Sequence, residues 1–214
     1  MDQSPGGRAV SREIARDWQL FQAVESGQSP FAWRTWEVTR PAVIIGRGNT
    51  MAQLVDEAAC RADGVPLVRR CSGGGAVVLG PGCVNYAVVL TFDSCPELFE
   101  VAASFSLILG RLTAALGIAG LAIGGGTDLV MNDRKVSGNA QRRGRRALLQ
   151  HGTVLYDFDS ALATRYLYEP ARRPAYRGTR SHTAFLANVP LAGAEARARL
   201  ADALQGLCVS ECAR

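Results

Sequence analysis

Apolar residues first recur at helical spacing. Ile14, Trp18, Phe21 and Val24 lie three or four apart, which predicts an amphipathic helix over Arg12 to Ser26. Residues 1–11 show no such period and read as a disordered lead, leaving 12–214 as one domain. "AWRTWEV" and "AVIIG" alternate or run apolar like strands, parted by Thr39-Arg40-Pro41. Met51 to Ala62 reads as a helix that stops at Gly64, and "PLVRR" as a strand entering a glycine triplet. "AVVL" and "VNYAVVLTF" are strands joined by the turn signal "GPGC". The longest helix is predicted over Glu97 to Leu116, ending at Gly117. "DLVM" and "KVSGNAQ" flank an Asn132-Asp133 turn, and "ALLQHGTVLYDF" follows the arginine turn 142–146. Asp159 to Tyr168 reads as a capped helix, 169–182 as a polar loop and Glu195 to Leu207 as the last helix. The close strand spacing predicts an α+β domain with a mostly antiparallel mixed sheet flanked by helices. A doubly wound parallel sheet needs helices between strands, and 66–92 leaves no room for them.

Composition narrows the function. With 214 residues, 48% hydrophobic and 20% charged, the chain is long enough for one good core. No apolar run approaches the length of a membrane span. The N-terminus lacks the apolar stretch of a signal peptide, so a cytoplasmic protein with free thiols is expected. Cys60, Cys71, Cys83, Cys95, Cys208 and Cys212 form no C-x-x-C, and His151 and His182 are the two histidines, so no metal ligands are assigned. The net charge is +5, part of it in "RRGRR" at 142–146. This reads as a solvated hairpin tip or a patch for an acidic protein partner. No aromatic-rich basic sheet or helix-turn-helix accompanies it, so nucleic acid is not expected. Of the 24 basic residues one is a lysine, Lys135. A lysine kept among arginines suits a role that needs a compact point charge.

Gly73-Gly74-Gly75 and Gly124-Gly125-Gly126 fit neither a P-loop nor a dinucleotide fingerprint. Each is either a tight turn or a ligand cradle. Arg70 and Ser72 beside the first triplet offer a guanidinium and a hydroxyl, a set that suits a phosphate. Lys135 precedes the small residues Ser137 and Gly138, which let a ligand lie against the strand. His151 is either a core residue or a ligand contact, and Gly152 beside it favours the ligand.

"RRCSGGGAV", "TDLVMNDRKVSGNAQ" and "LLQHGTVLYDFD" resemble the three landmark motifs of the lipoate–protein ligase family, within the biotin and lipoate ligase and octanoyltransferase group. "YRGTRSHTAFLANV" is similar to the family segment before its final helix. The resemblance implies the biotin/lipoate ligase catalytic-domain fold and a two-step reaction. Lipoic or octanoic acid attacks ATP, with Mg²⁺, to give an acyl adenylate. A lysine of an apo lipoyl domain, or of a glycine-cleavage H-type carrier protein, then takes the acyl group. It implies a catalytic role for Lys135, nucleotide contacts from Arg70, Ser72, Gly73, Gly74, Gly75, Ala76, Val77 and Val78, and pocket positions for Asn85, Asp128, Ser137, Gly138, His151, Gly152 and Thr153. Gly80-Pro81-Gly82 is similar instead to the octanoyltransferases, which work through a cysteine thioester without ATP. Neither 121–127 nor the stretch after the 159–168 helix holds the cysteine such enzymes use, and Cys71 beside Arg70 is the one candidate left. A non-catalytic acyl- or nucleotide-binding relative is the third reading. The chain is expected to lack the accessory C-terminal domain of many bacterial ligases, so that the catalytic domain suffices or, alternatively, a separate subunit supplies the cover.

Overall fold

The computed structural model describes residues 5–171 and 173–209. Among the described residues, nine strands form two sheets. The larger contains β1 (Phe31–Trp36), β5 (Cys83–Thr91), β6 (Leu121–Gly124), β7 (Asp128–Met131), β8 (Arg134–Arg143) and β9 (Ala147–Leu155). Its order is β1-β5-β9-β8-β7-β6, with every neighbouring pair antiparallel. The smaller, β3-β2-β4, contains β2 (Ala42–Ile45), β3 (Leu67–Arg69) and β4 (Ala76–Leu79). Here β2 pairs parallel with β3, across the short helix α2 (Glu57–Ala62), and antiparallel with β4.

The long apolar run of β5 follows from its burial on both faces. Val84, Tyr86, Val88 and Leu90 face α3 (Val101–Leu116) and α6 (Gly193–Val209), in a core with Leu109, Leu112, Leu200 and Leu204. Ala87 and Val89 face Phe21 and Val24 of α1 (Pro5–Glu25) on the other side. Each such buried leucine or valine contributes roughly 1.5–3 kcal/mol. A second core beneath the small sheet gathers Ile14, Trp36, Ile44, Val78 and Phe158.

Several boundaries differ from the sequence reading. Helix α1 starts at Pro5, seven residues before the expected start, because Val10 extends the buried stripe; residues 5–11 are therefore helical, not a disordered lead. The expected 51–62 helix divides into a 3₁₀ turn at Met51–Gln53 and α2, restarted where Asp56 Oδ1 accepts from the Ala59 N–H at 2.9 Å. A 3₁₀ turn at Pro96–Phe99 likewise precedes α3, which ends at Gly117 with φ +62°. The predicted 159–168 helix shortens to α4 (Ala161–Tyr166), and the 169–182 loop contains a 3₁₀ turn at Ala175–Arg177 and leads into α5 (His182–Phe185). "GPGC" is a turn, but not a hairpin: β4 and β5 belong to different sheets. Gly82, at φ +79°, carries its carbonyl to the Tyr156 and Asp157 N–H groups at 2.9 and 3.1 Å, and this turns the chain from one sheet to the other. The thiol reading holds for Cys60, Cys71, Cys83 and Cys208, which are free, but Cys95 is disulfide-bonded. Spacing along a chain does not determine which sulfurs meet in space.

Candidate active site

A cavity of about 410 Å³ opens between the two sheets. Edge strand β4 and the end of the first glycine triplet form one wall, β8 and β9 another, and the 168–186 segment a third. Fourteen of the sixteen residues singled out from sequence line it; buried Ser72 and exposed Gly73 do not.

Arg70 shapes the first glycine loop. Its Nε donates to Ser72 Oγ and to the Gly73 carbonyl, both at 3.1 Å, while Nη2 donates to the carbonyls of Gly73 (2.7 Å) and Gly75 (3.0 Å). Gly74 has φ +83°, and a Cβ there would lie 2.8 Å from Arg70 Nη2, so the missing side chain admits the protein's own guanidinium. Burial lowers the Arg70 pKa to about 10, which leaves it charged at neutral pH. The "GRGN" stretch at 46–49 backs this loop. Gly46 N–H donates to Gly75 O at 3.1 Å, Arg47 N–H to Ser72 O at 2.8 Å, and the Asn49 amide to Gly74 O.

Lys135 reaches the cavity across Gly138, where a Cβ would lie 2.8 Å from both Cε and Nζ. The pairing of β7 with β8 shifts register at Leu129/Val130. Val136 is thereby buried in the core beside Leu129, while Lys135 and Ser137 line the cavity. Lys135 Nζ sits 2.8 Å from Asp128 Oδ1, and the Tyr176 hydroxyl donates to Asp128 Oδ2 at 2.6 Å. Gly152 stands where a Cβ would overlap Asn139 Oδ1, the atom that accepts from the Tyr86 hydroxyl at 2.6 Å.

His151 stands in the middle of a buried polar chain. Arg70 Nε donates to Ser72 Oγ, which lies 2.6 Å from His151 Nε2. His151 Nδ1–H then donates to Asp17 Oδ2 at 3.2 Å, and Arg34 Nη1 donates to Asp17 Oδ1 at 3.0 Å. The order Ser–His–Asp is that of a nucleophilic triad. However, Ser72 is 1% exposed, lies outside the cavity lining and already accepts from Arg70. The chain braces the glycine loop against α1 and β9 and presents His151 to the cavity.

Asp17, Trp36, Asn139 and Tyr176 were not read from the sequence as site residues. A signal existed for Asp17: it falls on the buried stripe Val10, Ile14, Phe21, Val24, where an acid must have partners. Trp36 lines the cavity, and its indole N–H is buried without a protein partner. Such a donor suits a ligand acceptor. Among the described residues, no three His, Cys, Asp or Glu side chains converge as a metal site, and both Asp128 oxygens are engaged.

The arginine turn is less free than its sequence suggests. Arg143 donates to the Leu98 and Phe99 carbonyls at 2.5 and 2.8 Å and lies over the Phe92 ring. Glu25 accepts from the N–H groups of Arg145, Arg146 and Ala147. Arg145 and Arg146 remain exposed. Burial pushes the free thiols up: Cys60 to about 11, Cys83 and Cys208 to about 12, and Cys71 above its ordinary value.

The family described as "Lipoyl protein ligase A/B catalytic domain" matches residues 10–196, and the chain belongs to that family. It is 32% identical over 177 residues to "Lipoate-protein ligase A" of Blochmanniella floridana, covering 79% of this chain and 49% of that protein. The chain thus spans about half the length of this curated relative. Protein Ta0514 from T. acidophilum with bound lipoic acid superposes with a TM-score of 0.77 at 21% identity, over 92% of this chain and 80% of that one. A lipoate-protein ligase A bound with ATP gives 0.74 at 21%, over 91% and 78%. A structure titled as a bipartite lipoate protein ligase and its E2 lipoyl domain from Thermoplasma acidophilum gives 0.75 at 21%, over 92% and 79%. At these identities the structures establish a shared fold. No helix among the described residues is long and apolar enough to cross a membrane.

Proposed function

We propose that this chain activates lipoate or octanoate with ATP and passes the acyl group to a lysine of a lipoyl carrier domain. The observation that carries the reading is Lys135, held by Asp128 at a cavity that joins an apolar interior to an edge strand and a glycine loop. A carboxylate oxygen of the acid attacks the α-phosphorus of ATP, forming the acyl–phosphate bond as pyrophosphate leaves. The Lys135 ammonium stabilises charge developing on the α-phosphate oxygens. The outer edge of β4 at Ala76 to Val78 suits an adenine edge, and Leu54, Ile44 and Leu155 suit an acyl chain. The carrier lysine, as free amine, then attacks the acyl carbon; AMP leaves and the amine proton goes to solvent. Mg²⁺ enters with the nucleotide. The partner is an apo lipoyl domain or H-type carrier protein, approached through an exposed charged face that includes Arg145 and Arg146. A separate accessory subunit is a further candidate partner, as in the bipartite lipoate protein ligase of Thermoplasma acidophilum. The test is the intact mass of an apo lipoyl domain after incubation with the chain, lipoate, ATP and Mg²⁺. One added lipoyl group, dependent on ATP, supports the reading; acylation that proceeds from an acyl carrier without ATP refutes it.

The thioester alternative makes a separate prediction. A thiol pushed up by burial holds less thiolate at neutral pH than a free cysteine does, the opposite of an activated nucleophile. Cys71→Ala is expected to keep acylation within about twofold, and Cys71 to be alkylated more slowly at pH 7.5 than a model thiol. An acyl thioester trapped on any cysteine overturns this. The same shifts set a stability trend. Folded-state values lie above the ordinary 9, so this contribution is full below pH 9 and is lost as pH rises from 9 toward 12.

A further inference from the structure

We infer that Tyr176 is a positioning residue for Lys135, acting through Asp128. The inference rests on the activating role proposed above for Lys135. Asp128 is buried, with one oxygen on Lys135 Nζ (2.8 Å) and the other accepting from the Tyr176 hydroxyl (2.6 Å). A carboxylate held at both oxygens has one orientation. Released at Oδ2, it can turn and offer both oxygens to the ammonium, drawing Lys135 away from a ligand. With the hydroxyl in place, Asp128 takes Lys135 through one oxygen and leaves the remaining N–H donors for phosphate and carboxyl oxygens.

The second glycine triplet gains a purpose from this contact. Gly125 has φ +57°, and a Cβ there would stand 3.1 Å from Tyr176 Cε1, so the turn between β6 and β7 forms a seat for the tyrosine ring. The Phe185 ring lies on the other side at 5.3 Å. The segment that carries Tyr176 is pinned independently. Arg180 Nη1 donates to Asp133 O at 2.7 Å, Arg134 Nη2 donates to the Thr183 and Leu186 carbonyls, and Arg177 lies over Phe185. Losing the hydroxyl therefore leaves the segment in place and falls on Asp128. Burial and the neighbouring carboxylate push the Tyr176 hydroxyl far above its ordinary value, so it is a donor throughout the working pH range.

The experiment uses the single lysine. The acetylation rate of Lys135 by acetic anhydride, without substrates and referenced to the N-terminal amine, is read by peptide mass spectrometry. Tyr176→Phe keeps the ring and removes the donor. It is expected to slow acetylation at fixed pH by roughly threefold or more, with the melting temperature little changed. In an Asp128→Asn background the same change is expected to have no further effect, because its route is gone. In turnover, kcat for adenylate formation should fall about tenfold with KM for the acid within about twofold. Equal labelling of wild type and Tyr176→Phe overturns the inference, as does a slowing that persists in the Asp128→Asn background. Because labelling needs no turnover, the expected labelling in a chain that forms no adenylate would sink the activation reading and leave the positioning one standing.

Discussion

Lys135→Ala is expected to cut acyl-adenylate formation by roughly 10²–10³-fold while leaving the fold intact, because one preorganised charge facing the α-phosphate is lost. Lys135→Arg is expected to fail to a similar degree. The room for the side chain exists because residue 138 is glycine, whose would-be Cβ lies 2.8 Å from Lys135 Cε and Nζ. A planar guanidinium is wider than an ammonium and pairs with a carboxylate through two N–H groups, so it would bind Asp128 and turn from the ligand. Pyrophosphate release measures the loss, and thermal melting checks the fold. Near-normal turnover of Lys135→Arg would show that Lys135 has another role.

The second large effect is expected at Asp17, 2% exposed and shared between Arg34 and His151. Asp17→Ala leaves the Arg34 guanidinium with Glu13 as its remaining acid and the His151 Nδ1–H without its acceptor, which costs about 1.5–3 kcal/mol. For a chain of this size that is a fall in melting temperature of roughly 3–12 °C. Asp17→Asn keeps an acceptor for the imidazole N–H and should recover part of it. Differential scanning calorimetry reads both. Since His151 orients Ser72, and Ser72 the loop with Arg70, Asp17→Asn should also weaken acid binding at temperatures where the protein is folded. A melting temperature unchanged in Asp17→Ala would mean that the buried chain does not brace the fold.

The meander from β6 to β9 was legible because local signals specify it: Asn132 and Asp133 adopt φ +50° and +57° in the expected turn, and apolar alternation sets register on either side. The glycine loop and the Lys135 strand were legible for a related reason, since residues forced by backbone clearance leave glycine at fixed places. What the sequence concealed was long-range. That "GPGC" joins two sheets depends on Gly82 meeting 156–157, and no local rule encodes that meeting. Arg70 was read as a ligand contact, and nothing in the sequence signalled that four of its bonds would also hold the loop itself. Tyr176 lay in a polar stretch without periodicity, and its role arises only because the segment folds back onto Gly125 and Asp128. Arg143 looked like part of a solvated charge run, but the carbonyls it caps lie some forty-five residues away in the chain.

The central claim is that this cavity activates a carboxylic acid with ATP. Its most direct test is mass-spectrometric detection of acyl adenylate in the acid-quenched chain after mixing with lipoate, ATP and Mg²⁺, with no carrier protein present. Lipoyl-AMP close to one equivalent of the wild-type chain, with pyrophosphate released and neither found with Lys135→Ala, is the result predicted. Absence of adenylate from a folded wild-type chain that nonetheless acylates a lipoyl domain from an acyl carrier would contradict it.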